Sequence, residues 1–202
     1  MNDDLCISYS GTEKRIVLLH GWGADAEDLL PLGKQLINFK GNTNTAELVS
    51  LHAPQVHPEG LGRQWYGLFP HDWNAVPIAV EQLISRLKCI ASQSLIPLEK
   101  TVLFGFSQGG AMALHAGTSL PVAGIICCSA FPHPEWIAPK LIPPVFLTHG
   151  TEDIVVPFEA SQKLMNLLMP SSLNVELSSF KGGHEIPSQL VPKFRECLEK
   201  WC

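Results

Sequence analysis

Short apolar runs alternate with helical segments along nearly the whole chain, and that alternation limits the folds open to it. The runs are Arg15–Leu19, Glu47–Leu51, Thr101–Phe106, Val122–Cys128, Val145–Thr148 and Asn174–Ser179. Asp25–Phe39, Val76–Ser94, Ala111–Ala116, Phe158–Leu168 and Gln189–Trp201 read as the intervening and closing helices. The period is clearest in Val76–Ser94, where Val80, Leu83, Ile84, Leu87 and Ala91 share one face. Pro31 suits the first turn of the helix read over Asp25–Phe39. With no linker and no internal repeat, the pattern predicts one domain over residues 1–202: a mostly parallel sheet with helices on both faces. A chain of 202 residues that is 46% hydrophobic and only 16% charged suits strands buried on both sides. Functional residues in such sheets gather beyond the carboxyl ends of the strands.

Several function classes are disfavoured before any motif is considered. A net charge of −5 without a basic block speaks against a nucleic-acid partner. No apolar run approaches the roughly 18–20 residues of a membrane span. Met1–Tyr9 has no basic stretch followed by an apolar one, so no signal peptide is visible. Cys6, Cys89, Cys127, Cys128, Cys197 and Cys202 form no C-x-x-C pair and no His-spaced metal pattern. Cys127 and Cys128 are neighbours in a strand, where side chains point to opposite faces and cannot easily bridge. Reduced cysteines, a cytoplasmic location and a site without metal or cofactor are the resulting expectations.

Chemistry concentrates at Thr101–Gly110, TVLFGFSQGG, where Gly105, Ser107 and Gly109 spell G-x-S-x-G between a strand and a helix. In that context the motif forms a strained turn that lifts the serine hydroxyl above the sheet. Glycines on either side let strand and helix backbones approach closely. The Gln108 amide, opening the helix, suits an oxyanion donor. A second donor is expected in His20-Gly21-Trp22-Gly23 after the first strand, where small residues let the Trp22 amide face developing negative charge. Its indole, with Trp65 and Trp73 from the long loop after Leu51, is expected to line an apolar groove. The serine needs a base and the base an orienting acid. His184, behind Gly182-Gly183, and Asp153 or its neighbour Glu152, past the Val145–Thr148 strand, are the candidates. His20 and His149 each end a strand before a glycine and are expected to brace their loops. His115 reads as a packed helix residue, and His52, His57, His71 and His133 as loop residues without metal spacing.

LLHGWGADAEDLLPL, SLHAP, RQWYGL, GFSQGGAMALHAG, THGTEDIVVP and GGHEI together resemble the carboxylesterase/lysophospholipase family of α/β-hydrolases that includes the acyl-protein thioesterases. The resemblance runs in order from about Arg15 to Trp201. It implies an α/β-hydrolase fold with Ser107 as nucleophile, Asp153 as acid and His184 as base, in the Ser…Asp…His order of that fold. Trp22 and Gln108 match the positions of the oxyanion amides, Trp22 standing where leucine is common. The aspartate usual after the W-[FY] pair is replaced by Gly67, and the loop from 54 to 75 is compact.

These residues imply two-step acyl transfer to water on a small ester or lipid, with thioesters following the same course. Between Cys128 and Pro144 the chain is too short for the helical cap that many α/β-hydrolases insert there, so an open groove is expected. A methyl-ester esterase acting on carrier-bound acyl chains is the rival within the fold, and the missing cap counts against it. A non-catalytic binding module is the rival outside it, and the intact Ser, Asp and His count against that. Acyl length and oligomeric state are not encoded in any motif.

Overall fold

The computed structural model describes residues 4–8, 11–37, 46–171 and 174–202. Its elements, in chain order, are β1 (Leu5–Ile7), β2 (Arg15–Leu19), α1 (Leu30–Ile37), β3 (Glu47–Leu51), β4 (Gln55–Val56), β5 (Arg63–Gln64), α2 (Val76–Ser92), β6 (Thr101–Phe106), α3 (Gln108–Gly117), β7 (Gly124–Cys128), β8 (Val145–Gly150), α4 (Glu159–Leu168), β9 (Val175–Phe180) and α5 (Val191–Trp201). Seven strands form one sheet in the order β1-β3-β2-β6-β7-β8-β9. All pairings in it are parallel except that of β1, which runs antiparallel to β3 along one edge. The separate β4–β5 ladder lies inside the long loop after β3.

Strand periodicity explains how the core divides. Val17, Leu19, Leu103, Ile125, Cys127 and Leu147 pack on one face under α2, α3 and α4. Their neighbours Ile16, Leu18, Phe104, Ile126, Cys128 and Phe146 pack on the other, under α1 and α5. Cys127 and Cys128 therefore face opposite layers, as strand alternation requires, and all six cysteines are free. Arg15 is the exception in the apolar β2 run. Its guanidinium is buried, so it must be paired: Nε donates to Glu47 Oε1 at 2.5 Å, one terminal nitrogen to Ile96 O at 3.0 Å, and the other to Ser94 Oγ.

Element identities agree with the alternation, and departures are confined to ends and short pieces. The first helix is shorter than Asp25–Phe39: it starts at Leu30, with Pro31 in its first turn. Asp25 Oδ1 instead accepts the Glu27 amide at 2.9 Å, a local turn that competes with helix. Phe39 lies outside the described residues. β7 begins at Gly124 rather than Val122, and β8 extends to Gly150. The three-residue β1 and the two-residue β4 and β5 are too short for any periodic signal. The segment between β7 and β8 contains no helix, so no cap covers the sheet edge there. No helix among the described residues is long and apolar enough to cross a membrane.

Candidate active site

Ser107 occupies the turn between β6 and α3 with φ 53 and ψ −120, a region that costs an L-residue energy and persists only where its surroundings enforce it. Backbone packing does the enforcing. A Cβ at Gly105 would sit 2.3 Å from Gly109 O, and one at Gly109 only 2.2 Å from Leu19 O. Only glycine allows α3 to start this close to β6 and β2. The Ser107 amide donates to Cys128 O at 2.8 Å, which fixes the turn against the end of β7.

Asp153 and His184 arrive from the neighbouring strands. The loops after β8 and β9 are tied together: Thr151 N–H donates to Phe180 O at 2.8 Å and Glu152 N–H to Gly182 O at 2.9 Å. Gly150 permits the contact, since a Cβ there would lie 2.3 Å from both Gly182 O and Gly183 O. His184 Nδ1 consequently meets Asp153 Oδ2 at 2.7 Å. Asp153 Oδ1 accepts the Val155 and Val156 amides at 2.9 Å each. Burial pushes the Asp153 carboxyl up, but the His184 hydrogen bond and the Val156 and Val155 amides outweigh it, and the net shift is downward. Glu152 takes no part in this pairing: its side chain is exposed and its carboxylate lies 3.9 Å from the still more exposed Lys181 ammonium.

The two bracing histidines behave as expected. His20 Nδ1 donates to Gly21 O at 2.7 Å and its Nε2 accepts the Ala53 amide at 3.1 Å, while burial lowers its pKa to about 4. His149 is fully buried; its Nε2 donates to Val156 O at 2.8 Å, and its Nδ1 lies 2.6 Å from Ser161 Oγ. The same Nε2 stands 3.2 Å from Asp153 Oδ2, so His149 braces the acid as well as its loop. His115 and His133 are more connected than their positions suggested. Their Nδ1 atoms are 2.9 Å apart, and His133 Nε2 is 2.9 Å from the buried Tyr66 hydroxyl. Burial lowers both, to about 4 and about 3.

A cleft of about 470 Å³ opens over Ser107 and His184, with Gly21, Trp22 and Phe106 beside them. Leu68, Phe69, His71 and Trp73 line it from the loop between β5 and α2, Phe131 and Pro132 from the loop after β7, and Val155, Val156, Pro157 and Ala160 from the loop after β8 and the start of α4. Among these described lining residues the only ionisable side chains are the two histidines. The Trp22 ring stands edge-on to His57 at 4.1 Å and Phe69 at 5.1 Å, and its indole N–H donates to Gln64 Oε1 at 2.9 Å. The Trp22 amide has no backbone acceptor among the described residues, and the Gln108 amide, first in α3, precedes any intrahelical partner.

Trp65 does not line this cleft, contrary to expectation. It is 2% exposed and packs in the core beneath the loop. The physical reason is its indole N–H, which donates to His20 O at 2.9 Å and draws the ring under the end of β2. Leu68, Phe69, Phe131, Pro132 and the Val155-Val156 pair line the cleft in its place. Nothing in the periodicity of those loop residues marks them. Val155 and Val156 carried the only signal, as apolar residues beside a candidate acid.

The fold is shared with known proteins. The sequence profile of the phospholipase/carboxylesterase family matches residues 7–202, and the chain belongs to that family of hydrolases. It is 34% identical to acyl-protein thioesterase 1 of Neurospora crassa over 192 residues, which cover 82% of this chain and 74% of that protein. Acyl-protein thioesterase 1 of Cryptococcus neoformans is 27% identical, with 92% and 90% covered. Among solved structures, esterase PE8 superposes with a TM-score of 0.84 at 28% identity, covering 100% and 98% of the two chains. Acyl-protein thioesterase 2 of Zea mays, at 19% identity and a TM-score of 0.75 with 99% of both chains covered, shares the fold.

Proposed function

We propose that the chain is a serine hydrolase that cleaves carboxylic esters and acyl thioesters of short to medium acyl length through an acyl-enzyme on Ser107. One observation carries the reading: Ser107, held at φ 53, and His184, bonded to Asp153 at 2.7 Å, open into one apolar cleft. Ser107 Oγ attacks the carbonyl carbon as His184 Nε2 takes its proton. The oxyanion is received by the amides of Trp22 and Gln108. His184 returns the proton to the leaving alcohol or thiol, then activates water to release the acid. Asp153 keeps the Nδ1–H tautomer and stabilises the imidazolium.

The described lining residues include no Asp, Glu, Lys or Arg, which favours an uncharged acyl group. Similarity to fungal acyl-protein thioesterases supports thioesters beside oxygen esters. The test is a p-nitrophenyl ester series from acetate to palmitate, beside an acyl-thioester and a lysophospholipid, with the parent and Ser107→Ala. Efficiency should rise with chain length until the cleft is full, at up to about 0.8 kcal/mol per methylene, and then level off. Ser107→Ala should lose several orders of magnitude in kcat on every substrate, leaving a small residual from the oxyanion hole. Parental turnover in that variant would end the reading.

A further inference from the structure

We infer that Trp65 is a positioning residue for the oxyanion hole, tying its two amide-bearing segments into one rigid unit. The inference rests on the serine-hydrolase reading above. β2 and β6 pair as far as Leu19 opposite Gly105, and the turns beyond touch by packing, a Cβ at Gly109 falling 2.4 Å from His20 O; hydrogen bonds between them run through Trp65. Trp65 bonds to both. Its backbone N–H donates to Gln108 Oε1 at 3.1 Å, and its indole Nε1–H donates to His20 O at 2.9 Å. Gln108 Nε2 donates in turn to Tyr66 O at 2.8 Å, so the amide side chain is gripped at both ends. Gln108 carries one proposed oxyanion amide, and His20 stands two residues before Trp22, which carries the other.

Trp65, His20 and Gln108 are 2%, 1% and 0% exposed, so water cannot replace a lost bond and His20 O would be left buried without a donor. Buried networks of this kind are stiff when every member is paired. An oxyanion hole works by donors already aimed at where charge develops, so a connector between them acts on the transition state rather than on substrate binding. The cleft itself does not touch Trp65, so a loss here is independent of acyl length.

Replacing Trp65 by β-(3-benzothienyl)alanine tests this, because sulfur removes the N–H while the bicyclic shape stays. Trp65→Phe is the simpler variant, and the isostere separates the hydrogen bond from its packing loss. Losing one oxyanion donor costs about 10²–10³ in kcat, so a misaimed one should cost about 10- to 100-fold. The loss should be equal on p-nitrophenyl acetate and octanoate, with KM nearly unchanged. Affinity for an alkyl trifluoromethyl ketone, which forms a tetrahedral adduct, should weaken by the same factor, while a non-reactive alkyl amide binds as before. Parental kcat and ketone affinity in the isostere, or a loss confined to octanoate, would overturn the positioning role alone, provided the parent turns over esters and a fluorophosphonate labels its Ser107. A parent that does neither would overturn the inference together with the reading beneath it.

Discussion

In the proposed mechanism, Asp153 is where a single residue decides the chemistry. Its two oxygens divide their work, Oδ1 taking the Val155 and Val156 amides and Oδ2 taking His184 and, at 3.2 Å, His149. Asp153→Asn keeps the shape but offers an N–H where His184 Nδ1 needs an acceptor, favouring the wrong tautomer. In a protease triad that change cost about 10⁴-fold in kcat, and a loss of that order is expected here. Glu152→Gln should be nearly silent, since its carboxylate is exposed and only loosely paired with Lys181. Steady-state kinetics on one activated ester compares the two, and the reverse ranking would move the acid to Glu152. Sequence alone left those neighbours open until the family resemblance chose between them, because adjacent residues on a loop carry no periodicity. Trp65 illustrates the opposite failure. A tryptophan between loop glycines reads as a groove wall, and only the long-range partner His20 O reveals that it is tethered below.

At the scale of elements, the loops after β8 and β9 behave as one piece because Gly150 lets their backbones touch. Gly150→Ala would place a methyl 2.3 Å from two carbonyl oxygens of the loop that carries His184. The loop must then move, at a cost of about 1–3 kcal/mol in stability if overpacking in a core is the guide. Urea unfolding should show that loss, and kcat should fall more than KM rises because His184 is displaced while the cleft walls stay. An unaltered kcat alongside the stability loss would mean that the His184 loop relaxes without misplacing the ring. The main strands and helices were legible because the strands are continuous apolar runs and Pro31, Pro77 and Pro192 fall in the first turns of α1, α2 and α5. The β1 edge and the β4–β5 ladder were not, since strands of three and two residues are set by pairing partners rather than by their own pattern. The walls at Leu68, Phe69, Phe131 and Pro132 were illegible for the same reason: loop conformation, held by distant contacts, brings them together.

Over the whole molecule, buried neutral histidines should govern the response to acid. His20, His115 and His133 are lowered by burial to about 4, about 4 and about 3. Between those values and the ordinary 6.5 of an exposed histidine, the unfolded chain binds protons that the folded one does not, so stability falls as pH falls. Each histidine contributes up to about 1.4 kcal/mol per pH unit in that window. Asp153, with its depressed carboxyl, adds stability that is present above the ordinary carboxylate range and is lost only at still lower pH. Calorimetry at pH 5.5 in buffers of differing ionisation enthalpy should therefore record uptake of about two to three protons on unfolding. Uptake near zero would mean that these histidines titrate normally in the fold.

In the proposed mechanism Ser107 carries the acyl group between two half-reactions. The most direct test of this is intact-protein mass spectrometry after rapid acid quench of the enzyme mixed with excess p-nitrophenyl octanoate, followed by peptide mapping. A single added octanoyl mass is expected, mapped to Ser107, decaying as substrate is exhausted and absent from Ser107→Ala. Octanoate release in steady turnover with no adduct on Ser107, under conditions where a p-nitrophenol burst precedes that turnover, or an adduct mapped to another residue, would contradict it.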